Sequence, residues 1–431
     1  MRVIRTNDSQ AKANKMQDSS IKGPLRAFAY PQFRIFWGAS LASIVSFFMA
    51  VISRGWLVLA MSDSVLLVTA INAVGTLPML VFSLYAGVIA DRVNRRVVLI
   101  FSDACSFLIM AILAGLILSQ VIQMWQVFAL TILHGTVFAL GMPTRAATVS
   151  NLVSQKDLPS GVALFTTIFS SAQLVGPALA GYLINGYGMG VAFVACCVIL
   201  IPAIALLRNL KIISKESSPE TAHHVTILES ISEGLLYVRR RSILLGLMLT
   251  GLAITIFAMP YQTLLPVFAR DILEVGPGGL GWLGAMGGVG AIMGSIAVAT
   301  FSRINQMKFL MVVGGIGLGV GILIFAISSS YLLSLIVLLL VGFLLQIFMT
   351  SNFSLVQIIS PDYIRGRVLS IRMIVLGMGP LGMMLLGMGS EMVGPIISLA
   401  TLAIIATVGI VAIVVAIPTL RGVPVGEGQD G

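Results

Sequence analysis

The stretch GVIADRVNRR at residues 87–96 decides the fold of this 431-residue chain, because it sets one carboxylate and three arginines between two long apolar runs. Its leading glycine and its charged residues are Gly87, Asp91, Arg92, Arg95 and Arg96. A short basic segment between apolar runs is typical of a water-exposed turn that joins two membrane-spanning helices. The stretch therefore predicts a helical hairpin that crosses a membrane twice.

Composition extends this prediction to the whole chain. The sequence is 58% hydrophobic and 10% charged, with a mean hydropathy of +1.04. A soluble globular protein carries about 25% charged residues, so that class is excluded. Runs of about 20 apolar residues, long enough to cross a membrane, predict twelve helices at 35–60, 65–90, 97–118, 124–143, 160–184, 190–207, 243–268, 279–301, 309–328, 331–353, 368–390 and 395–418.

The pattern Gly-x-x-x-Asp-Arg-x-x-Arg-Arg resembles the loop between the second and third helices of the major facilitator superfamily of transporters. That family has glycine where this chain has Asn94, a residue that tolerates the left-handed turn conformation. Four further stretches resemble the branch that contains the enterobactin exporter and related macrolide and drug exporters: PQFRIFWGASLAS, WLVLAMSDS, LLPVFARDIL and PDYIRGRVLS. The resemblance implies an all-α membrane protein with two six-helix halves.

Internal repeats agree with two halves. The turn ADRVNRR recurs, degraded, as FSRINQMK at 301–308, and Gly176 with Pro177 matches Gly379 with Pro380. Six helices per half keep both copies in one orientation, which makes the repeats parallel. The predicted organisation is a cytoplasmic tail (1–34), an N-terminal half (35–208), a cytoplasmic linker (209–241), a C-terminal half (242–420) and a second cytoplasmic tail (421–431).

Within the linker, Ile227, Ile231, Leu235 and Val238 recur at helical spacing. This spacing predicts an amphipathic helix on the membrane surface.

Positive charge predicts the orientation. Of 26 Lys and Arg residues, 24 fall on one side of the twelve predicted spans, Arg145 and Arg372 among them. The other side has Arg270, and Arg54 lies inside a span. Positive loops stay in the cytoplasm, so we expect a multi-pass protein of the cell membrane, in bacteria the inner membrane, with both termini cytoplasmic.

The same asymmetry accounts for the net charge of +10, so we expect no nucleic-acid partner. The glycine-rich run GWLGAMGGVGAIMGS lacks the pattern of a phosphate loop, and the pair His223 and His224 lacks acidic or cysteine neighbours. We therefore expect no cofactor and no metal. The expected partners are a small organic substrate, protons and membrane lipid, and we expect a monomer.

Two motifs predict mechanism. The resemblance places Asp91 beside the start of the eleventh helix, where the helix dipole stabilises a carboxylate by about 0.3–1 kcal/mol. This contact would latch the two halves shut. The alternative is that Asp91 belongs to a charge cluster that only sets the orientation in the membrane. The stretch AQLVGPALAG resembles the fifth-helix motif of proton-coupled antiporters through Gly176, Pro177 and Gly181. This motif has two possible interpretations: a surface on which the halves rock against one another, or ordinary packing of membrane helices.

Ionisable residues inside membrane helices suggest function. The resemblance implies that the first, fourth, seventh and tenth helices line the cavity, which makes Arg54, His134, Gln262 and Asn352 candidates for substrate contact. His134 and Asp103 are the candidates for proton coupling, and depth near the midplane favours His134. The alternatives are a neutral structural His134, an Asp103 paired with the arginines of the 92–96 turn, and an Arg54 that extends to the membrane interface.

The sequence therefore predicts a secondary transporter, not an enzyme. It would export an amphipathic organic molecule, such as a siderophore, a drug or a related metabolite, by alternating access in exchange for protons. The alternatives are a proton-coupled uptake symporter, a lysophospholipid flippase and, from a different class, a membrane-embedded enzyme or sensor.

Overall fold

The structure is a computed structural model that describes residues 23–92, 94–211, 227–299 and 304–421. Its long helices, numbered in chain order, are α1 (Pro31–Ser62), α2 (Val65–Arg92), α3 (Arg95–Leu118), α4 (Met124–Leu152), α5 (Leu158–Tyr187), α6 (Met189–Arg208), α7 (Ser242–Ile272), α8 (Gly276–Ala299), α9 (Ile304–Ile327), α10 (Tyr331–Ile359), α11 (Asp362–Gly377 and Gly379–Val393) and α12 (Pro395–Ala416). Eleven are long and apolar enough to cross a membrane. The remaining helix, α2, is apolar over Val65–Met79, and the side chains of 80–92 lie outside the described residues.

The predicted all-α membrane architecture is therefore confirmed. Short turns separate neighbouring helices. The residues of these turns end one helix and cap the start of the next. Gly188 and Gly394 occupy equivalent turns in the two halves, each with a φ of 87° that favours glycine. Asn94 differs from the expectation, since its φ is −58° and its side chain instead caps α3 by accepting from the Arg96 N–H at 3.1 Å.

The helix bundle has one face at each end of its helices. The face at which the first and the last described residues lie is called here the terminal face. There the Ala27 N–H donates to Ser160, and Lys308 donates to the carbonyl of Thr419 at 2.9 Å. The other end, the opposite face, holds the turns that follow α1, α3, α5, α7, α9 and α11.

The most extensive contacts between the two sets of six helices are those of two helix pairs. Helix α5 packs against α8, and α2 packs against α11. A surface helix, Ile227–Arg240, packs on α11, where Glu233 pairs with Arg367. Val238 is buried, whereas Leu235 of the predicted apolar face is 56% exposed. Residues 212–226 of the predicted linker lie outside the described part.

Helices α4 and α10 extend past their predicted ends, to Leu152 and Ile359. The apolar runs end earlier than the helices do, because the last turns of these helices contain polar residues that are packed inside the bundle. Arg145 and Arg372, counted above among the charges of the loops, are only 4% and 7% exposed within α4 and α11. Burial of these two arginines corrects the expectation that they lie in water.

Helix α7 is irregular along its second half. Regular α-helix ends at Ala253 and is followed by π-helix, 3₁₀-helix and a second π-helical turn up to Ile272. Pro260 and Pro266 lack the backbone N–H that a regular helix requires, which explains the change of geometry. The irregular segment faces the space between the two halves.

Candidate central cavity

A cavity of about 330 Å³ lies between the two halves. Side chains from α1, α2, α4, α5, α7, α8 and α11 line it, and most of them are apolar. The larger polar side chains of its wall are Arg54, Asn72, Gln173, Tyr261 and Gln262. No Asp or Glu of the described residues contributes to the wall. Such a wall suits a bulky and largely apolar molecule with a few polar groups.

Arg54 is the charged residue of this wall, and it is 5% exposed. Its Nε donates to the carbonyl of Ala50 at 3.2 Å, and its Nη1 lies 3.2 Å from Nδ1 of His134. Because arginine only donates, Nδ1 of His134 accepts and carries no proton. The His134 ring also lies against Phe47, with ring centroids 5.5 Å apart.

Two of the four predicted cavity residues, Arg54 and Gln262, line the cavity, and His134 lies behind Arg54. Asn352 was expected to face the cavity, but it is 3% exposed and lines a separate small void with Arg372. Its amide donates to the carbonyl of Leu247 at 2.9 Å and accepts from Nε of Arg372 at 3.2 Å. These bonds hold Asn352 away from the cavity.

Asp103 forms a buried ion pair with Arg145. The distance from its Oδ1 to Nη2 of Arg145 is 2.5 Å, and Ser43 donates to its Oδ2 at 2.7 Å. The expected pairing of Asp103 with the arginines of the turn is therefore corrected, because Arg145 supplies the cation from α4. The pair joins α1, α3 and α4 near the terminal face.

Among the described residues, the C-terminal half has no equivalent of this ion pair. Helices α4 and α10 both have 29 residues, and Asn352 occupies in α10 the position that Arg145 occupies in α4. Helices α3 and α9 both have 24 residues, and Val312 corresponds to Asp103. The two halves thus have equal lengths in these helices, while the two positions of the ion pair hold an amide and an apolar side chain in the C-terminal half.

The fifth-helix motif lies in the contact between the halves. A Cβ added to Gly181 would lie 2.5 Å from the carbonyl oxygen of Pro277 and 2.6 Å from Cα of Gly281 in α8. One added to Gly176 would lie 2.8 Å from Cβ of Phe48 in α1. Pro177 lines the cavity. The absence of side chains at both glycines therefore permits close approach of α5 to its two neighbours.

Hydrogen bonds of Arg270 and Glu391 join the halves at the opposite face. Nη1 of Arg270 donates to Asp63 at 2.7 Å and to the carbonyl of Leu59 at 3.0 Å. Glu391, at the end of α11, accepts from the hydroxyl of Ser64 at 2.6 Å and from the N–H of Leu66 at 3.4 Å. Glu391 thus lies at the N-terminus of α2, where the helix dipole stabilises a negative charge.

At the terminal face, the arginines of the turn bind within the N-terminal half. Arg95 donates to the carbonyl of Ala147 at 2.7 Å, and Arg96 donates to the carbonyl of Arg208. The side chains of Asp91 and Arg92 lie outside the described residues, as do the surroundings of Gly87. The predicted latch therefore stays a prediction.

Sequence reasoning missed four residues that shape this region: Arg145, Arg270, Arg372 and Glu391. A charged residue within an apolar run was a usable signal for Arg372, whereas Glu391 falls in the short gap between the last two predicted runs. Arg145 falls just past the apolar run from which the end of α4 was predicted, so the signal for it was weak. Nothing in the sequence indicated that Arg270 reaches α1.

This helix bundle, with a cavity between two six-helix halves, is the fold of a major facilitator transporter, and the expected resemblance is confirmed. The chain belongs to the family described as transmembrane secretion effectors, which it matches over residues 22–430. It is 29% identical over 351 residues to the multidrug efflux pump Tap of Mycolicibacterium fortuitum, covering 79% of this chain and 84% of the relative.

It is also 22% identical over 344 residues to the enterobactin exporter EntS of Shigella boydii, covering 79% of this chain and 80% of the relative. Among solved structures, the nucleoside transporter NupG superposes with a TM-score of 0.70 at 14% identity, over 90% of this chain and 99% of that one. The family and these relatives are transporters and not enzymes.

Proposed function

We propose that this protein exports an amphipathic organic molecule, such as a drug, a siderophore or a related metabolite, by alternating access in exchange for protons. The observation that carries the proposal is the apolar cavity of about 330 Å³ between the halves, closed on one side by contacts between α1, α2, α7 and α11. Efflux relatives from the same family support the direction.

Charge distribution supports an orientation with the terminal face in the cytoplasm. Of the described basic residues outside the bundle core, the terminal face holds Arg26, Arg34, Arg95, Arg96, Lys156, Arg208, Lys211, Arg239, Arg240, Arg241, Arg365, Arg367 and Arg421. The opposite face holds Arg270. Because basic loops stay in the cytoplasm, the structure then represents the conformation that is closed toward the outside.

The return to the outward-open conformation requires closure at the terminal face, and Asp91 is the proposed latch. The arrangement at the opposite face supports this role. There, Glu391 at the end of α11 caps the start of α2. Asp91, near the end of α2, would cap the start of α11 in the same way, with Arg92, Arg95 and Arg96 as its basic neighbours. Each conformation would then be held by a carboxylate at a helix N-terminus.

For proton coupling, the geometry favours Asp103 over His134. A proton on Nδ1 of His134 would break its bond to Arg54 and place two cations about 3.2 Å apart in a buried site. A proton on Asp103 instead removes one charge of the ion pair with Arg145 and loosens the link between α3 and α4. Asp103 is therefore the proposed proton carrier, and His134 the proposed support for Arg54.

Comparison of the culture medium of cells with and without the protein tests the proposal. Mass spectrometry should find at least one amphipathic compound that is enriched in the medium of expressing cells and retained inside cells that lack the protein. Enrichment of such a compound inside the expressing cells would instead indicate an uptake symporter.

A further inference from the structure

Arg54 carries a positive charge that its described surroundings do not neutralise. The guanidinium has five N–H donors. Its hydrogen-bonding partners in the structure are the carbonyl of Ala50 and the imidazole of His134, and both are neutral acceptors. These two partners satisfy some of the donors but leave the charge itself uncompensated.

Acidic residues do not reach this guanidinium in the described part of the chain. The buried carboxylate of the N-terminal half, Asp103, already binds Arg145 and Ser43. The carboxylates of Asp63 and Glu391 are engaged at the opposite face. The cavity wall itself has no Asp or Glu among the described residues. The cavity therefore has a net positive potential.

An isolated buried charge is unfavourable, so a counter-ion that enters the cavity is strongly attracted. Guanidinium groups bind carboxylates and similar oxyanions through paired N–H donors. A further donor belongs to the same wall, because Gln262 lines the cavity and its side-chain amide can donate.

The rest of the wall suits an apolar body. Phe47 and Phe48 of α1 line the cavity, as do Met79 of α2 and Met383 of α11. Methionine side chains adapt to irregular apolar shapes, and aromatic rings provide flat contact area. The site thus combines one fixed cation with an adaptable apolar surface.

We propose that Arg54 is the anion-binding residue of the cavity and that the transported molecule carries an anionic oxygen group, such as a carboxylate, on an amphipathic body. His134 is a positioning residue, since its neutral imidazole holds the guanidinium at the cavity wall. This inference rests on the proposed export function for the direction of movement, but the charge preference of the cavity is separable from it.

Thiol labelling tests the charge preference without transport. In the full chain with Cys105, Cys196 and Cys197 replaced by alanine, a cysteine at Val51 lies in the cavity wall one helical turn before Arg54. Purified protein is reacted with an anionic and a cationic methanethiosulfonate of similar size. Each rate is divided by that for a free thiol in solution.

The corrected ratio of anionic to cationic labelling should be on the order of tenfold higher at Val51→Cys than at Ser119→Cys, which lies exposed at the opposite face. Adding Arg54→Gln should remove this difference, and Arg54→Lys should retain it. Equal ratios at the two positions, or a ratio that Arg54→Gln leaves unchanged, would overturn the proposal. The comparison of the two positions needs no variant at Arg54, so it stays informative even if that variant misfolds.

The compound found in the culture medium separates this inference from the proposed function. An anionic compound whose export falls at least tenfold in Arg54→Gln would support both. A neutral or cationic compound that Arg54→Gln exports normally would overturn the anion site and leave export intact. If the wild-type chain exports no compound while the labelling preference is retained, export alone is overturned.

Discussion

Arg270 in α7 binds Asp63 at the end of α1, with Nη1 of the arginine 2.7 Å from the carboxylate oxygen. The same nitrogen binds the carbonyl of Leu59, so a single side chain of one half holds the helix end of the other. Asp63 is 82% exposed at its side chain, and exposed ion pairs contribute only about 0–1 kcal/mol. A contact of this strength holds the opposite face closed and would still allow it to open in the proposed alternating-access cycle.

A disulfide across the opposite face should lock the protein closed. A Cβ at Gly278 in α8 would lie 3.6 Å from Cβ of Asn185 in α5, within the range of about 3.5–4.5 Å found in disulfides. The double variant Asn185→Cys with Gly278→Cys should lose transport on oxidation and regain it with reductant. Each single variant serves as its control. Full transport by the oxidised, cross-linked protein would show that this face does not open.

Close packing at Gly181 should matter for the same movement. Gly181→Ala adds a methyl group against the backbone of α8, and overpacking of this kind costs about 1–3 kcal/mol. The variant should form the 185–278 disulfide more slowly and have a lower melting temperature. Gly186→Ala is the matched control, because nothing lies within 4 Å of an added Cβ there. If the two variants had the same rate of disulfide formation and the same melting temperature, the motif would contribute only ordinary helix packing.

Asp103→Asn should abolish gradient-driven export while downhill exchange of substrate continues. The variant leaves Arg145 buried without its partner, so the free energy of unfolding should also fall by about 3–5 kcal/mol. Adding Arg145→Gln should recover part of that stability without restoring coupling. His134→Gln keeps a hydrogen-bond acceptor for Arg54 and should retain coupling. Loss of coupling in His134→Gln alone would return the role to His134.

Glu391 and the proposed latch Asp91 should act in opposite directions. Asp91→Asn should weaken closure at the terminal face and lower transport with near-normal membrane insertion, and Arg92→Lys should have a milder effect. Glu391→Gln should weaken closure at the opposite face. The rate of formation of the 185–278 disulfide reports both effects on closure. This rate should rise in Asp91→Asn and fall in Glu391→Gln. Normal transport by Asp91→Asn at equal expression would show that Asp91 only sets orientation.

Much of the fold could be predicted because membrane helices need long apolar runs and the turns between them need glycine or polar residues. The helix ends near the terminal face were less predictable. Arg145 looked like a loop charge because its partner, Asp103, lies 42 residues earlier in the chain. Only packing of α3 against α4 shows that the two charges neutralise one another.

The cavity was less predictable than the fold. Arg54 and Gln262 were assigned to it from the helix order that the resemblance implies, and this succeeded because α1 and α7 do line it. The prediction for Asn352 was wrong because α10 directs this side chain toward Leu247 and Arg372. The rotation of a membrane helix about its axis depends on its neighbours, which a nearly uniform apolar sequence does not encode.

Everted membrane vesicles give the most direct test of export. The compound identified in the culture medium is added to energised everted vesicles that contain the protein, and its content in the lumen is measured over time. The account predicts accumulation in everted vesicles with the wild-type chain and none with the oxidised Asn185→Cys and Gly278→Cys variant. Accumulation in right-side-out vesicles, with none in everted vesicles, would contradict it and identify an uptake transporter.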